Sequence, residues 1–125
     1  MTNIAILLYS IKVVYQEPLH TTVIMQNKSF TAFFLTHAKK YINSIPDSDS
    51  GAIKRDIEEI LTGDYNAIST KKLKGNIREL IVGHHRIIYF RINNNIYFVQ
   101  GFRKKSAKTP KKEIDYAETV YKQLK

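Results

Sequence analysis

Three stretches rich in Ile, Val, Tyr and Phe follow one another with almost nothing between them, at residues 76–82, 84–92 and 96–102. β-Branched and aromatic side chains at this density are the usual filling of strands. Gly83 and the triplet Asn93-Asn94-Asn95 are the connectors, and both residue types tolerate the positive φ of a tight turn. Connectors this short admit only antiparallel neighbours, because a parallel crossover takes roughly a dozen residues or more. A three-stranded antiparallel meander is therefore expected, and the rest of the chain must pack on it.

Upstream the period lengthens. Ser29 is placed to cap a helix on which Phe30, Phe33, Phe34, His37, Ala38, Tyr41, Ile42 and Ile45 share one face, ended by Pro46. His37 is expected in the core. Ser48 or Ser50 caps a second helix, with Ile53, Ile57, Ile60 and Leu61 on one side and Gly63 closing it. Residues 21–25 are β-branched and predict a short strand. After the meander, Thr109 as cap and Pro110 at the first position open a last helix with Ile114, Ala117, Tyr121 and Leu124 as its apolar stripe. The expected fold class is α+β: an antiparallel sheet, made of an N-terminal strand plus the three-stranded meander, with two N-terminal helices and a C-terminal helix packed on it.

The 125 residues suit one domain. We expect it to occupy residues 20–125, with 1–19 as an N-terminal extension, either an extra strand or a flexible segment. An apolar run at residues 4–14 is broken by Ser10 and Lys12, and it falls short of the roughly twenty residues of a membrane span. Met1-Thr2-Asn3 lacks the cation that opens a secretory signal. The expectation is a cytoplasmic protein with no membrane partner. The chain has no cysteine, which removes disulfides and cysteine nucleophiles. No Gly-rich phosphate loop and no metal-ligand spacing among its four histidines is visible, so neither metal nor cofactor is expected.

Charge is distributed unevenly. Residues 1–70 carry six basic and seven acidic side chains, whereas 71–125 carry fourteen and four. A strongly basic half implies an anionic partner, nucleic acid first. With a short loop at Asn93 to Asn95, Arg86 pairs with Gly101 or Phe102. Arg86 then lies beside Arg103, while His84 and His85 approach Lys104 and Lys105. Lys71, Lys72 and Lys74, whose distance from this cluster the strand pairing does not set, are expected at its rim. A cation inside an apolar strand is costly to bury without an anion, so Arg86 is expected to meet a ligand or to pair with Glu79. Adjacent strand residues point to opposite faces, so only one of His84 and His85 is expected to line a site.

The run Lys71-Lys72-Leu73-Lys74-Gly75-Asn76-Ile77-Arg78-Glu79-Leu80, then Arg86-Ile87-Ile88-Tyr89-Phe90, then Gly101-Phe102-Arg103-Lys104-Lys105-Ser106-Ala107-Lys108-Thr109-Pro110 carries a resemblance. It resembles the RelE/ParE superfamily of bacterial type II toxins, in particular the phage-derived HigB-like branch. Glu113, Ile114 and Ala117 continue the match. The family usually places Arg after Glu-Leu; here that position is Ile81, with Arg78 on the other side. Residues 1–19 have no counterpart.

The resemblance implies a small α+β toxin fold, a cognate antitoxin of HigA-like, helix-turn-helix DNA-binding type, and metal-independent cleavage of mRNA in the ribosomal A site. In that reaction the 2′-hydroxyl attacks its own 3′ phosphate and leaves a 2′,3′-cyclic phosphate. The catalytic candidates are Arg86, Arg103, Lys104 and His85. Arg86 would stabilise the phosphorane, with Arg103 or Lys104 sharing the charge, and His85 or else His84 would move protons. Lys71, Lys72, Lys74, Arg78, His84, Lys105 and Lys108 are the RNA-binding candidates. The rival reading is a ParE-like member, which shares the scaffold and inhibits DNA gyrase without nuclease activity.

Overall fold

The computed structural model describes residues 11–16, 20–26, 30–63 and 65–125. Its strands are β1 (Ile11–Gln16), β2 (His20–Gln26), β3 (Thr31–Phe34), β4 (Ser69–Lys74), β5 (Ile77–Val82), β6 (His85–Ile92) and β7 (Asn95–Arg103). Its helices are α1 (Thr36–Ser44), α2 (Asp47–Thr62) and α3 (Lys111–Leu124). The strands form one sheet in the order β1-β2-β3-β7-β6-β5-β4. Neighbours are antiparallel except β3 and β7, which run parallel. Of the expected extension, 11–16 forms β1 on the sheet edge, while 1–10 and 17–19 lie outside the described residues.

The meander forms where the turn chemistry places it. Gly83 turns at φ 59° and Asn93 at φ 55°, and Arg86 pairs with Phe102. It has one strand more than expected. β4 reads Ser-Thr-Lys-Lys-Leu-Lys and is exposed along most of its length, so no apolar alternation announces it. Its backbone ladder to β5, running from Ser69 opposite Ile81 to Lys74 opposite Ile77, makes it a strand.

The expected helix from Phe30 is shorter than its apolar period suggested. Thr31–Phe34 is strand, and the helix occupies only Thr36–Ser44. Phe33 and Phe34 satisfy a helical period and a strand period alike, so the sequence is ambiguous there. The parallel ladder to β7 decides the matter. Phe34 stacks on Phe98 at 5.2 Å and Phe33 on Tyr97 at 4.9 Å, and the Leu35 N–H donates to the Phe98 carbonyl at 3.0 Å. The shorter helix buries Ala38 and Ile42 but leaves His37 exposed rather than in the core, edge-on to Tyr116 of α3.

Two cores flank the sheet. On one face α1 and α2 set Ile42, Ile53, Ile57 and Ile60 against Leu80, Ile87, Tyr89 and Phe98. On the other, α3 sets Ala117 and Val120 against Ile77, Ile88, Phe90 and Val99. Coverage on both sides explains why β6 is buried at six successive positions instead of alternating. α2 starts after Pro46, so Ser48 and Ser50 lie in its first turn and not at its cap. Gly63 closes it at φ 81°, donating to the Glu59 and Ile60 carbonyls. At α3 the residue flanking the helix is Pro110, and Thr109 is engaged elsewhere.

Candidate active site

The site lies where β6 begins and β7 ends. The Lys104 N–H donates to the His84 carbonyl at 2.7 Å and closes the ladder. The chain then loops through Lys105 and Lys108 to α3, leaving a cavity of about 540 Å3 between loop and sheet. Its lining includes Lys71, Glu79, Ile81, Arg86, Phe102, Arg103, Lys104, Lys105, Lys108, Thr109 and Tyr41. Cations dominate this wall.

Arg86 is buried, and its Nη1 donates to the carbonyls of Gly83 at 2.9 Å and His85 at 3.0 Å. Its Nε lies 3.9 Å from Oε2 of the equally buried Glu79. The other Glu79 oxygen accepts a 2.6 Å hydrogen bond from Thr109 Oγ1. Thr109 thus ties the cationic loop to the carboxylate that holds Arg86, in place of the capping role expected of it. Lys71 pairs with Glu79 across β4 and β5 and shares its face.

His85 occupies the opposite face, in register with Arg103. It is buried, with Nε2 3.0 Å from Asp49 Oδ2 and Nδ1 2.5 Å from Tyr41 Oη. A carboxylate only accepts, so Nε2 carries the proton and Nδ1 accepts from the tyrosine hydroxyl. Tyr41, not His85, lines the cavity. Burial pushes the Tyr41 hydroxyl above its ordinary pKa, Arg103 draws it back, and Asp49 raises it further. Gly101 makes this arrangement fit. A Cβ there would lie 2.5 Å from the Tyr41 ring and 2.9 Å from Ile87.

The expected cluster is therefore brought together at Arg86, Arg103, Lys104, Lys105, Lys108 and Lys71. Arg86 and Arg103 reach it from opposite faces, since Arg86 pairs with Phe102 and Arg103 with His85. His84 sits exposed on the turn, outside the lining. Lys72 and Lys74 also lie outside it, and Lys74 pairs with Glu118 of α3 at 3.2 Å. Arg78 faces away: it pairs with Tyr89, whereas Glu79 pairs with Ile88. It does not replace the arginine missing at Ile81, which does line the cavity. Tyr41, Asp49 and Thr109 were not expected at the site: Tyr41 is read from the sequence as a helix-face residue and Thr109 as a helix cap. Nothing local marks these contacts, because the partners are 44, 36 and 30 residues away. Among the described residues no group of His, Asp and Glu is arranged to hold a metal ion, and no helix is long and apolar enough to cross a membrane.

Residues 40–122, well over half of the chain, match the family model described as phage derived protein Gp49-like. The chain belongs to this family. The residues that carry the resemblance to the RelE/ParE superfamily, from Lys71 to Ala117, fall within that match. Two similar relatives, both named probable endoribonuclease HigB1, come from strains CDC 1551 / Oshkosh and ATCC 25618 / H37Rv of Mycobacterium tuberculosis. Each is 32% identical over 83 residues, 63% of this chain and 66% of the relative's own length. A solved structure, the RelB-RelE antitoxin-toxin complex from Methanococcus jannaschii, is similar with a TM-score of 0.47 and 23% identity, over 72% of this chain and 94% of that one. The chain is thus a member of the Gp49-like family with sequence similarity to proteins named as probable endoribonucleases.

Proposed function

We propose that this protein is a type II toxin, a ribosome-dependent mRNA endoribonuclease that blocks translation in the cytoplasm, and that a cognate HigA-like antitoxin restrains it. The observation that carries the reading is the basic cavity, in which Arg86 is held by Glu79 and Tyr41 is backed by His85 and Asp49. Family membership and the relatives' name support it.

The reaction is an in-line transfer within the RNA. The 2′ oxygen bonds to the adjacent phosphorus as its proton leaves, the P–O5′ bond breaks, and the 5′ oxygen takes up a proton. Arg86 stabilises the phosphorane through Nη2, because Glu79 at Nε and two backbone carbonyls at Nη1 already hold the guanidinium in place. Arg103 and Lys104 share the charge. Lys71, Lys105 and Lys108 hold flanking phosphates. Tyr41 is the proton-transfer group at the cavity, and His85 moves protons through it. Asp49 fixes the His85 tautomer, as a carboxylate does behind a histidine base.

Primer extension on a reporter mRNA, in a reconstituted translation reaction with and without ribosomes, tests this. Cuts are expected on ribosome-bound message only. Tyr41→Phe should slow them about a hundredfold or more, the usual worth of a positioned acid or base, and Arg103→Ala should also weaken them. Cuts on naked RNA would make it a free ribonuclease. No cuts in either tube would refute nuclease activity, and a gyrase supercoiling assay would then be the next measurement.

A further inference from the structure

A second cavity, of about 490 Å3, opens at the other end of β6, on the sheet face opposite to Glu79 and Arg86, and the mechanism above leaves it unused. Strand pairing builds it. Lys72, Arg78 and Tyr89 form one row across β4, β5 and β6, and Arg91, Tyr65 and Phe30 complete the wall.

Its polar groups ask for a ligand. The Tyr89 side chain is buried, at 3% exposure; its hydroxyl lies beside Arg78 and Thr70 but completes no hydrogen bond of normal geometry among the described residues. Such orphans are rare in folded proteins, because each forfeits its hydration with nothing in return. Arg78 donates to Thr70 Oγ1 at 3.1 Å, and Arg91 donates to the Asn93 carbonyl and lies 4.7 Å over the Phe30 ring. Among the described residues neither arginine has a carboxylate partner. Tyr65 stands half exposed at the wall, at 49%.

From this geometry we infer that the second cavity binds a nucleotide of single-stranded RNA, several nucleotides along the strand from the one cut at the first. The inference rests on the ribonuclease reading and extends it to a further contact. Arg78, Arg91 and Lys72 take phosphate oxygens. The Tyr89 hydroxyl donates to the strand, and Tyr65 offers a face on which a base stacks. A peptide carboxylate would satisfy the arginines but would leave the exposed ring without a role. Edge strand β4 links the two cavities, since it presents Lys71 to the first and Lys72 to the second.

The test is fluorescence anisotropy of a labelled single-stranded RNA with 2′-O-methyl riboses, which the protein cannot cut, titrated with the full chain at several salt concentrations. Arg91→Ala and Lys72→Ala should each weaken binding and reduce the salt slope by about 0.7, the value for one phosphate contact on a single strand. Tyr65→Ala should weaken it by roughly five- to 150-fold, as loss of one stacked base does, with the slope unchanged. Arg91 and Lys72 are exposed and Tyr65 is half exposed, so their removal leaves both cores intact. Unchanged affinity in Arg91→Ala/Tyr65→Ala, with Arg103→Ala still weakened, overturns the second contact and leaves the first. Loss of binding to a poly-glutamate peptide instead of RNA overturns it in favour of a protein partner. If Arg103→Ala also binds as tightly as the unaltered chain, the ribonuclease reading falls with it.

Discussion

Replacing Arg86 with alanine is the obvious way to disable the proposed site, and it will also weaken the fold. The guanidinium and the Glu79 carboxylate are 3.9 Å apart with side-chain exposures of 10% and 4%. At an effective dielectric near 20, unit charges at that distance attract by about 4 kcal/mol. Removing one partner leaves the other buried and uncompensated, which costs about 3–5 kcal/mol. Thr109 still donates to Glu79 and the two backbone bonds of Arg86 are lost, so the middle of that range is expected. A domain of this size holds only about 5–15 kcal/mol in total. Urea denaturation followed by circular dichroism measures the loss, and a double-mutant cycle assigns it. Glu79→Gln removes the stranded charge, so Arg86→Ala/Glu79→Gln should recover 2 kcal/mol or more of the sum of the single losses, by the coupling expected of neighbours in one network. Additive losses, or an Arg86→Ala cost below about 1 kcal/mol, would refute the claim that the pair is buried and coupled.

Gly101→Ala is expected to cost about 1–3 kcal/mol by overpacking, since its Cβ would press on the Tyr41 ring and Ile87; thermal denaturation checks it, and cleavage should fall alongside. Burial raises the hydroxyl pKa of Tyr41, Tyr89 and Tyr116 above the ordinary 10.0. The folded chain therefore keeps these protons where the unfolded chain has lost them, so the stabilisation is whole below pH 10 and declines as pH rises beyond it. Tyr89→Phe should flatten that decline in a stability–pH series, and an unchanged slope would contradict the assignment.

How much of this could be read beforehand depended on distance along the chain. The β5, β6 and β7 strands followed from turns of one to three residues, which narrowed the partner of Arg86 to Gly101 or Phe102; the structure selects Phe102. Gly63 and the Ile53, Ile57, Ile60 and Leu61 stripe were equally legible, because a helix sets its buried face by local period. So was the basic loop, as part of a motif continuous in sequence. β3 was not, since its period is ambiguous and its partner β7 begins 64 residues on from Thr31. β4 was not, because a polar edge strand owes its existence to its neighbour's backbone.

The sequence by itself determined the meander, the helical faces and the crowding of cations after Lys71, all of which rest on short-range stereochemistry and covalent order. Only the tertiary structure decided which of those cations share a cavity. It turned Arg78 away from Arg86 by the alternation of one strand, and set Tyr41 rather than His85 at the wall. It drew Thr109 to Glu79 and Asp49 to His85. Those contacts join different elements, so their geometry exists only once both cores have closed on the sheet.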